Sequence, residues 1–337
     1  MRSALAAFVG SVLILSFALF SASCRKNSQP VAPPDTTHFL TKQQNEISWP
    51  ALANSPWPMF LHDPQHTGRS PYRGPQEGKV EWTFFTGQDL RQQIFSSPVI
   101  DEEGTIYFSS LSSNFYALRS DGLLKWSKSI GGGDGSALVA ADGTVYEYGF
   151  GTGQPGEQYT YLYAYDRGGH LNWRFPVLGA AMLSSPVISK DGETLYLAVG
   201  SLYAIQRDGT LHWKWQPDSD YVQYAPAMSP DGALLYVSGS HALYAVDTSG
   251  LLRWMYGRTP STPAVDNDGN VYFGADIGRG GIGGPMQKCV RSTSQACCGG
   301  DFMGWTGDRS TLGLLLEVTA RSISRDATCT RLTTEEG

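Results

Sequence analysis

The sequence has little charge and no excess of positive charge. Charged residues make up 17% of its 337 residues, and the formal net charge is -6. A nucleic-acid-binding protein normally carries a basic patch or stripe, so this balance argues against nucleic acid as a partner. The sequence also lacks a long pattern of helical periodicity. Its 39 glycines and its 12% aromatic residues favour short strands joined by tight turns, and therefore an all-β fold.

Cysteine is almost absent from the first 288 residues, which contain a single one, Cys24. It follows an apolar run over residues 4–20 and three small residues at 21–23. Such a run is too short and wrongly flanked for a membrane span and is typical of a secretory signal peptide. The cysteine in this position resembles the lipobox of bacterial lipoproteins, although Ser21 stands where that family usually has Leu. The resemblance implies that residues 1–23 are removed and that Cys24 is lipidated; signal cleavage before an incidental cysteine is the alternative.

Residues 24–48 are polar, contain three prolines and have no hydrophobic period. This composition predicts a flexible tether between an anchor and a folded domain. Arg25 follows Cys24 where sorting to the inner membrane of enterobacteria uses Asp. By this resemblance, the protein is expected in the cell envelope, as an outer-membrane lipoprotein that faces the periplasm or the cell surface.

A repeated segment is the strongest signal in the sequence. Its four copies are FYALRSDGLLKW (115–126), LYAYDRGGHLNW (162–173), LYAIQRDGTLHW (202–213) and LYAVDTSGLLRW (243–254). In every copy a tryptophan follows an alanine by nine positions. The pairs are Ala117 and Trp126, Ala164 and Trp173, Ala204 and Trp213, and Ala245 and Trp254.

A second element precedes each copy. It consists of a small residue, an apolar run, an acidic-Gly turn and an apolar-Tyr pair, as in SSPVIDEEGTIYF from Ser96. An Asp-Gly turn between β-branched and aromatic residues predicts a hairpin. Four short antiparallel strands at a period of about 40 residues predict one blade of a β-propeller. We therefore assign the repeated tryptophans and alanines a structural role, in which the rings fill the wedge between blades and alanine permits close approach.

These repeats resemble the pyrroloquinoline-quinone (PQQ) type of propeller repeat. Quinoprotein alcohol dehydrogenases and the BamB-like lipoproteins of the outer-membrane assembly machinery share it. The resemblance covers about residues 57–276, beginning with WPMFLHDPQHTGRSPYRGP at 57–75. The dehydrogenases carry a motif one residue longer, so the shorter motif here points towards non-catalytic relatives. In such families an N-terminal strand often completes the last blade, which implies that KVEWTFF (79–85), with Trp82, pairs with strands from the C-terminal end.

The repeat pattern ends at Asp276. It accounts for about four full blades and the first half of a fifth, whereas related propellers usually have about seven or eight. Four cysteines follow, at positions 289, 297, 298 and 329. The expected organisation is a signal peptide at 1–23, a tether at 24–48, an incomplete propeller at 49–276 and a non-propeller tail at 277–337. The tail is either out-of-frame translation of a truncated gene or a genuine disulfide-bearing extension.

Several short motifs have a simpler structural interpretation. His62 and His66 have the spacing of two ligands on one helical turn, but Pro64 lies between them and no metal site is predicted. The acidic stretch at 266–270 coincides with a hairpin, and the glycine-rich segment at 149–158 is interpreted as a surface loop. The pair Cys297–Cys298 lies outside every blade, so the vicinal disulfide of quinoprotein dehydrogenases is not predicted.

No catalytic residues are assigned from the sequence. The resemblance implies a membrane-anchored scaffold or binding module that recognises envelope proteins and needs no cofactor. A PQQ-dependent dehydrogenase, which would need PQQ and calcium, is the alternative. A non-functional fragment is the third hypothesis.

Overall fold

The computed structural model describes residues 46–87, 93–111, 114–151, 160–178, 184–257 and 261–276, together with three later strands. These residues belong to one compact unit, Gln44–Gly337. The predicted signal peptide, Cys24 and most of the tether lie outside the described residues. No helix among the described residues is long and apolar enough to cross a membrane.

The described chain consists of strands that form five four-stranded antiparallel sheets and one two-stranded sheet. The first strand is β1 (Val80–Phe85). Blade 1 contains β2 (Val99–Ile100), β3 (Ile106–Ser109), β4 (Asn114–Leu118) and β5 (Leu124–Ser129). Blade 2 contains β6 (Leu138–Val139), β7 (Val145–Gly149), β8 (Thr160–Tyr165) and β9 (Leu171–Val177).

The next two blades repeat the same order of strands. Blade 3 contains β10 (Val187–Ile188), β11 (Thr194–Val199), β12 (Ser201–Gln206) and β13 (Leu211–Trp215). Blade 4 contains β14 (Ala227–Met228), β15 (Leu234–Ser238), β16 (Ala242–Asp247) and β17 (Leu252–Gly257). The prediction of an all-β fold with four-stranded antiparallel blades is confirmed.

A fifth sheet uses strands beyond the last repeat. It contains β18 (Ala264–Val265), β19 (Val271–Asp276), β20 (Gln287–Ser292) and β21 (Gly304–Trp305). The last strand, β22 (Thr328–Leu332), pairs antiparallel with β1. The strands β20, β21 and β22 carry neither an aromatic-Ala pair nor an Asp-Gly turn. For this reason the sequence predicts only the first half of a fifth blade, and the two hypotheses for residues 277–337 stay predictions.

Each blade has two distinct ends because its strands alternate in direction. The inner hairpin joins the first and second strands, and the outer turn joins the third and fourth; both lie at what we call the hairpin end. The chain passes to the next blade at the opposite end, the connection end. The glycine of every inner hairpin has φ between 78° and 84°, in the left-handed region that favours glycine. Asp101 shows how such a hairpin is fixed: its Oδ1 accepts hydrogen bonds from the backbone nitrogens of Glu103 (2.9 Å) and Thr105 (2.7 Å).

Burial increases from the outer edge of each blade to its middle. Every residue of β8 and β16 is buried, whereas the outermost strands β5 and β17 expose alternate residues. The first strands of neighbouring blades contact each other, since β2 meets β6 and β14 meets β18. The first strands therefore lie at the centre of the fan of blades and the fourth strands at its rim.

Candidate functional site

Each predicted alanine and tryptophan pair lies side by side on the third and fourth strands of its blade. The partners are Ala117 and Trp126, Ala164 and Trp173, Ala204 and Trp213, and Ala245 and Trp254. A one-residue irregularity in register lies next to each pair, on the side of the outer turn. The four alanines are fully buried, so no larger side chain would fit there without displacing the neighbouring strand.

The indole of each predicted tryptophan lies at the boundary between two blades. Four of them donate a hydrogen bond from Nε1 to a carbonyl in the outer turn of the following blade. The pairs are Trp82 to Ser120 (3.0 Å), Trp126 to Arg167 (3.0 Å), Trp173 to Arg207 (2.9 Å) and Trp213 to Thr248 (3.0 Å). Nε1 of Trp254 is buried without a hydrogen-bond partner among the described residues.

The tryptophan rings also lie directly against glycines of these outer turns. Gly209 has φ of +88°, and a Cβ added to it would lie 2.7 Å from Cδ2 of Trp173. Gly122, Gly169 and Gly250 meet Trp82, Trp126 and Trp213 in the same way. The blades are therefore interlocked, because the indole of one packs directly on a glycine of the next, where no side chain stands in its way.

The leading segment, residues 49–68, runs along the first strands of all five blades. At least one hydrogen bond joins it to each blade. The bonds to the first strands include Ile100 N to Trp57 O (2.8 Å), Val139 N to Pro58 O (2.8 Å), Trp49 Nε1 to Ile188 O (3.0 Å), Met228 N to Pro64 O (2.7 Å) and Val265 N to Gln65 O (2.8 Å). The segment thus supplies the centre of the fan with an additional set of backbone partners.

His62 and His66 belong to this segment and do not lie on a helix, since both have positive φ. Nδ1 of His66 lies 3.0 Å from the carbonyl oxygen of Pro263, whereas His62 contacts Asp63 at 3.3 Å. Burial lowers the pKa of His66 to about 4, although the Pro263 carbonyl and the charge of Asp63 oppose the shift. The two histidines therefore contact different partners, and His66 is neutral at physiological pH.

A group of polar side chains, three of them buried and one partly buried, lies at the connection end, between blades 1 and 3. We call it the axial cluster and define it as Ser109, Asp134, Glu147 and Ser184. Glu147 is fully buried on β7, and its Oε1 accepts a hydrogen bond from Oγ of Ser109 at 2.6 Å. Oε2 of Glu147, Oδ1 of Asp134 and Oγ of Ser184 are buried and have no hydrogen-bond partner in the part of the chain that the structure describes. A glycine-rich turn lies directly beside Glu147, since a Cβ on Gly133 would lie 3.5 Å from its Oε1.

The surroundings of the axial cluster disfavour negative charge. Burial raises the pKa of Glu147 well above its ordinary value, the hydrogen bond from Ser109 opposes the shift, and the charge of Asp134 adds to it. Burial also raises the pKa of Asp134 to about 6. A neutral carboxyl group can donate as well as accept a hydrogen bond. Burial therefore favours the neutral, protonated form of the Glu147 carboxyl group.

The axial cluster does not match the requirements of a quinone bound with calcium. Calcium takes about six to eight oxygen ligands, usually with several carboxylates. The cluster brings together two carboxyl groups, Glu147 and Asp134. Across the described ranges, no group of three or more His, Cys, Asp or Glu side chains is placed to hold a metal ion. The two carboxyl groups of the axial cluster are thus fewer than the oxygen ligands that such a calcium ion takes.

Exposed leucines mark the hairpin end. The first residue of the fourth strand is an exposed leucine in blades 1 to 4: Leu124, Leu171, Leu211 and Leu252. Two more exposed leucines, Leu123 and Leu251, lie in the outer turns that precede these strands. Because each blade contributes at the same position, the outer turns present a regular series of apolar side chains to solvent.

Comparison with known proteins identifies the repeat. The model of a family described as outer membrane protein assembly factor BamB matches residues 157–282. The repeats over these residues are similar to those of that family, and the described residues have a β-propeller fold. No curated protein matches this sequence.

Many solved structures resemble this chain, and two of them serve as examples. Quinohemoprotein alcohol dehydrogenase ADHIIG from Pseudomonas putida HK5 has 16% identity and a TM-score of 0.50, and the match covers 72% of this chain. The match covers 47% of the dehydrogenase, so the chain spans about half the length of that enzyme. At this identity the likeness concerns the fold alone. BamB from Moraxella catarrhalis has 13% identity and a TM-score of 0.42, with 60% of this chain and 71% of that chain covered.

Sequence reasoning missed Glu147, although a comparison of the repeats contains the signal. The corresponding position of the second strand holds Phe108 in blade 1, Leu197 in blade 3, Val237 in blade 4 and Phe273 in blade 5. A carboxyl group at this position is buried in the same way as the apolar residues that it replaces. It is the departure of one repeat from the others, and not any motif, that identifies the position.

Proposed function

We propose that this PQQ-like propeller is a non-catalytic binding or scaffold module of the bacterial cell envelope. The observation that carries the proposal is the match of residues 157–282 with the family model of outer membrane protein assembly factor BamB. The matched residues run from blade 2 to the beginning of blade 5, so they include the Trp-bearing fourth strands of blades 2, 3 and 4. The proposed partners are envelope proteins.

The geometry of the hairpin end supports this proposal. The interlocked tryptophans fix the blades relative to one another, so the outer turns form a pre-organised surface. Pre-organisation favours binding because little conformational entropy is lost when a partner docks. The exposed leucines of the outer turns provide apolar contacts, and exposed charged side chains such as Arg119 and Asp121 lie beside them.

The N-terminal residues supply the proposed address. We propose that residues 1–23 are a signal peptide, that Cys24 carries the lipid anchor and that residues 24–48 tether the propeller to the outer membrane. A two-chain or three-chain lipid anchor holds a protein stably on a membrane. The propeller would then reach its partners on the periplasmic side or at the cell surface.

The experiment compares the full-length protein with Cys24→Ser, each isolated with a C-terminal tag from cross-linked cell envelopes. We expect outer-membrane proteins to be recovered with the full-length protein, and about tenfold less of them with Cys24→Ser because the anchor is lost. The same preparation is titrated with PQQ and calcium and tested for alcohol oxidation with an artificial electron acceptor. Oxidation that depends on PQQ, without recovery of envelope proteins, would overturn the proposal in favour of a quinoprotein dehydrogenase.

A further inference from the structure

An arginine joins neighbouring blades at the hairpin end of two successive junctions. In the outer turn of blade 2, Arg167 forms ion pairs with Glu102 and Glu103 of the inner hairpin of blade 1. In the outer turn of blade 3, Arg207 forms an ion pair with Asp142 of the inner hairpin of blade 2. Each guanidinium therefore lies between two blades, against a carboxylate of the preceding one.

The junction between blades 3 and 4 has Thr248 in the place of this arginine. Its carbonyl accepts the hydrogen bond from Trp213, as the carbonyl of Arg207 accepts the hydrogen bond from Trp173. Its backbone nitrogen bonds to its own inner hairpin, at Ala233 O (3.3 Å), as that of Arg207 bonds to Glu193 O (3.0 Å). The backbone register is therefore the same, and only the side chain differs.

The acidic side chain that would meet the arginine is nevertheless present. Asp191 holds the position in the inner hairpin of blade 3 that Asp142 holds in blade 2, directly before the glycine. Between blades 3 and 4 there is an open cleft of about 390 Å³, and its walls include Asp191, Asp231, Tyr196 and Thr248. This space lies where a blade-4 counterpart of Arg207 would extend.

The walls of the cleft suit a positively charged group. A hydrogen bond from Ser189 Oγ (2.5 Å) lowers the pKa of Asp191, and one from Ser229 Oγ (2.5 Å) lowers that of Asp231, so both are ionised. Tyr196, which is 2% exposed, occupies the place that Tyr146 has beside Arg207.

Lys190 is the positive group of the lining. Its Nζ donates to Pro230 O at 3.3 Å and lies 5.4 Å from the ring centre of Trp49. Two carboxylates and one ammonium group leave the cleft with one net negative charge.

We propose that this cleft binds the guanidinium group of an arginine side chain from a partner protein, in the place that Arg207 fills at the preceding junction. Guanidinium is planar and presents five donors in a fixed fork that matches carboxylates, which an ammonium group does not. The inference rests on the proposed function, because the arginine belongs to a protein partner. The binding of guanidinium itself is measured without any partner.

The first test titrates the full-length protein with N-acetyl-L-arginine amide and, as a control ligand, N-acetyl-L-lysine amide, by calorimetry. We expect saturable binding of the arginine compound, and binding about tenfold weaker for the lysine compound and for Asp191→Asn. In Thr248→Arg the chain fills its own cleft, so the binding disappears and the melting temperature rises, whereas Thr248→Ser retains binding. Equal binding of the two ligands, or unchanged binding by a folded Thr248→Arg protein, would overturn the proposal.

The preceding junction offers a matched gain of function. Arg207→Thr opens the same space beside Asp142, so the number of arginine-amide sites per chain should rise from one to two. Unchanged stoichiometry in folded Arg207→Thr protein would contradict the inference that Thr248 creates the site.

Recovery of partners from cell envelopes separates this inference from the proposed function. Loss of envelope proteins from Thr248→Arg, with retention by Thr248→Ser, supports an arginine from a partner. Equal recovery by both variants overturns that part of the inference and leaves the proposed function intact. If the unaltered protein recovers no envelope protein, the proposed function fails, and the titrations alone decide whether the cleft binds guanidinium.

Discussion

Replacing Gly209 by alanine tests the interlocking of the blades. Gly209 has φ of +88°, and an added Cβ would lie 2.7 Å from Cδ2, 2.9 Å from Cγ and 3.0 Å from Cε3 of Trp173. A residue with a side chain held at such a φ costs about 1–3 kcal/mol. Crowding of a packed ring costs about another 1–3 kcal/mol. We therefore expect Gly209→Ala to lower the free energy of unfolding by about 2–6 kcal/mol, a large part of the stability of an ordinary domain.

Gly257 provides the matched control. It lies at the end of β17 in blade 4, where an added Cβ meets nothing within 4 Å and the φ is not positive. Both variants are unfolded with urea and followed by tryptophan fluorescence, with the slope of the transition compared to detect a change of denatured state. Gly257→Ala should unfold close to the unaltered protein. Equal midpoints for Gly209→Ala and Gly257→Ala would refute the account of how the blades are held together.

Three further predictions concern the indole donor and two buried titratable groups. Trp173→Phe should lower the free energy of unfolding in urea by about 0.5–1.5 kcal/mol more than Trp254→Phe does. The reason is that Nε1 of Trp173 donates a hydrogen bond to Arg207 O at 2.9 Å, whereas Nε1 of Trp254 has no hydrogen-bond partner among the described residues. Equal losses of stability in the two variants would contradict this prediction. Glu147 has a raised pKa, so the folded protein holds a proton that the unfolded chain releases, and stability should fall as pH rises from about 4.5 through that raised pKa. Glu147→Gln should remove this fall in stability above pH 6, where Asp134, whose pKa is about 6, no longer contributes to it. The same slope of stability against pH in the variant and in the unaltered protein would refute the prediction. His66, which is buried with a pKa of about 4, should instead cost stability as pH falls from about 6.5 to about 4, by up to about 3 kcal/mol. His66→Asn should flatten the dependence of the urea midpoint on pH over this range, and an unchanged dependence would contradict this explanation.

The repeats made most of the fold predictable from the sequence. The nine-residue spacing of alanine and tryptophan corresponds to cross-strand pairs next to a register shift, as at Ala204 and Trp213. The acidic-Gly turns correspond to inner hairpins with glycines at positive φ. Both signals are local, because a hairpin brings together residues that are close in the chain. Local signals of this kind can be recognised from the sequence without knowledge of the tertiary structure.

The parts that could not be predicted depend on contacts between distant residues. The leading segment has no periodic pattern, yet its backbone bonds to first strands as far away as Val265. The strands β20 and β21 complete the fifth sheet without the marks of the repeat. Glu147 and Thr248 are informative only as departures from their own repeats, and what each departure does is visible only when the neighbouring blade is in place.

The most direct test of the central claim, that this propeller binds envelope proteins, is site-specific photo-cross-linking in living cells. A photoreactive residue is placed at Leu251, in the outer turn beside Thr248, and separately at Leu178, at the connection end; the two are 56% and 58% exposed. We predict adducts with outer-membrane proteins from position 251 and none from position 178. Absence of protein adducts from both positions, in cells that contain the folded protein, would contradict the claim.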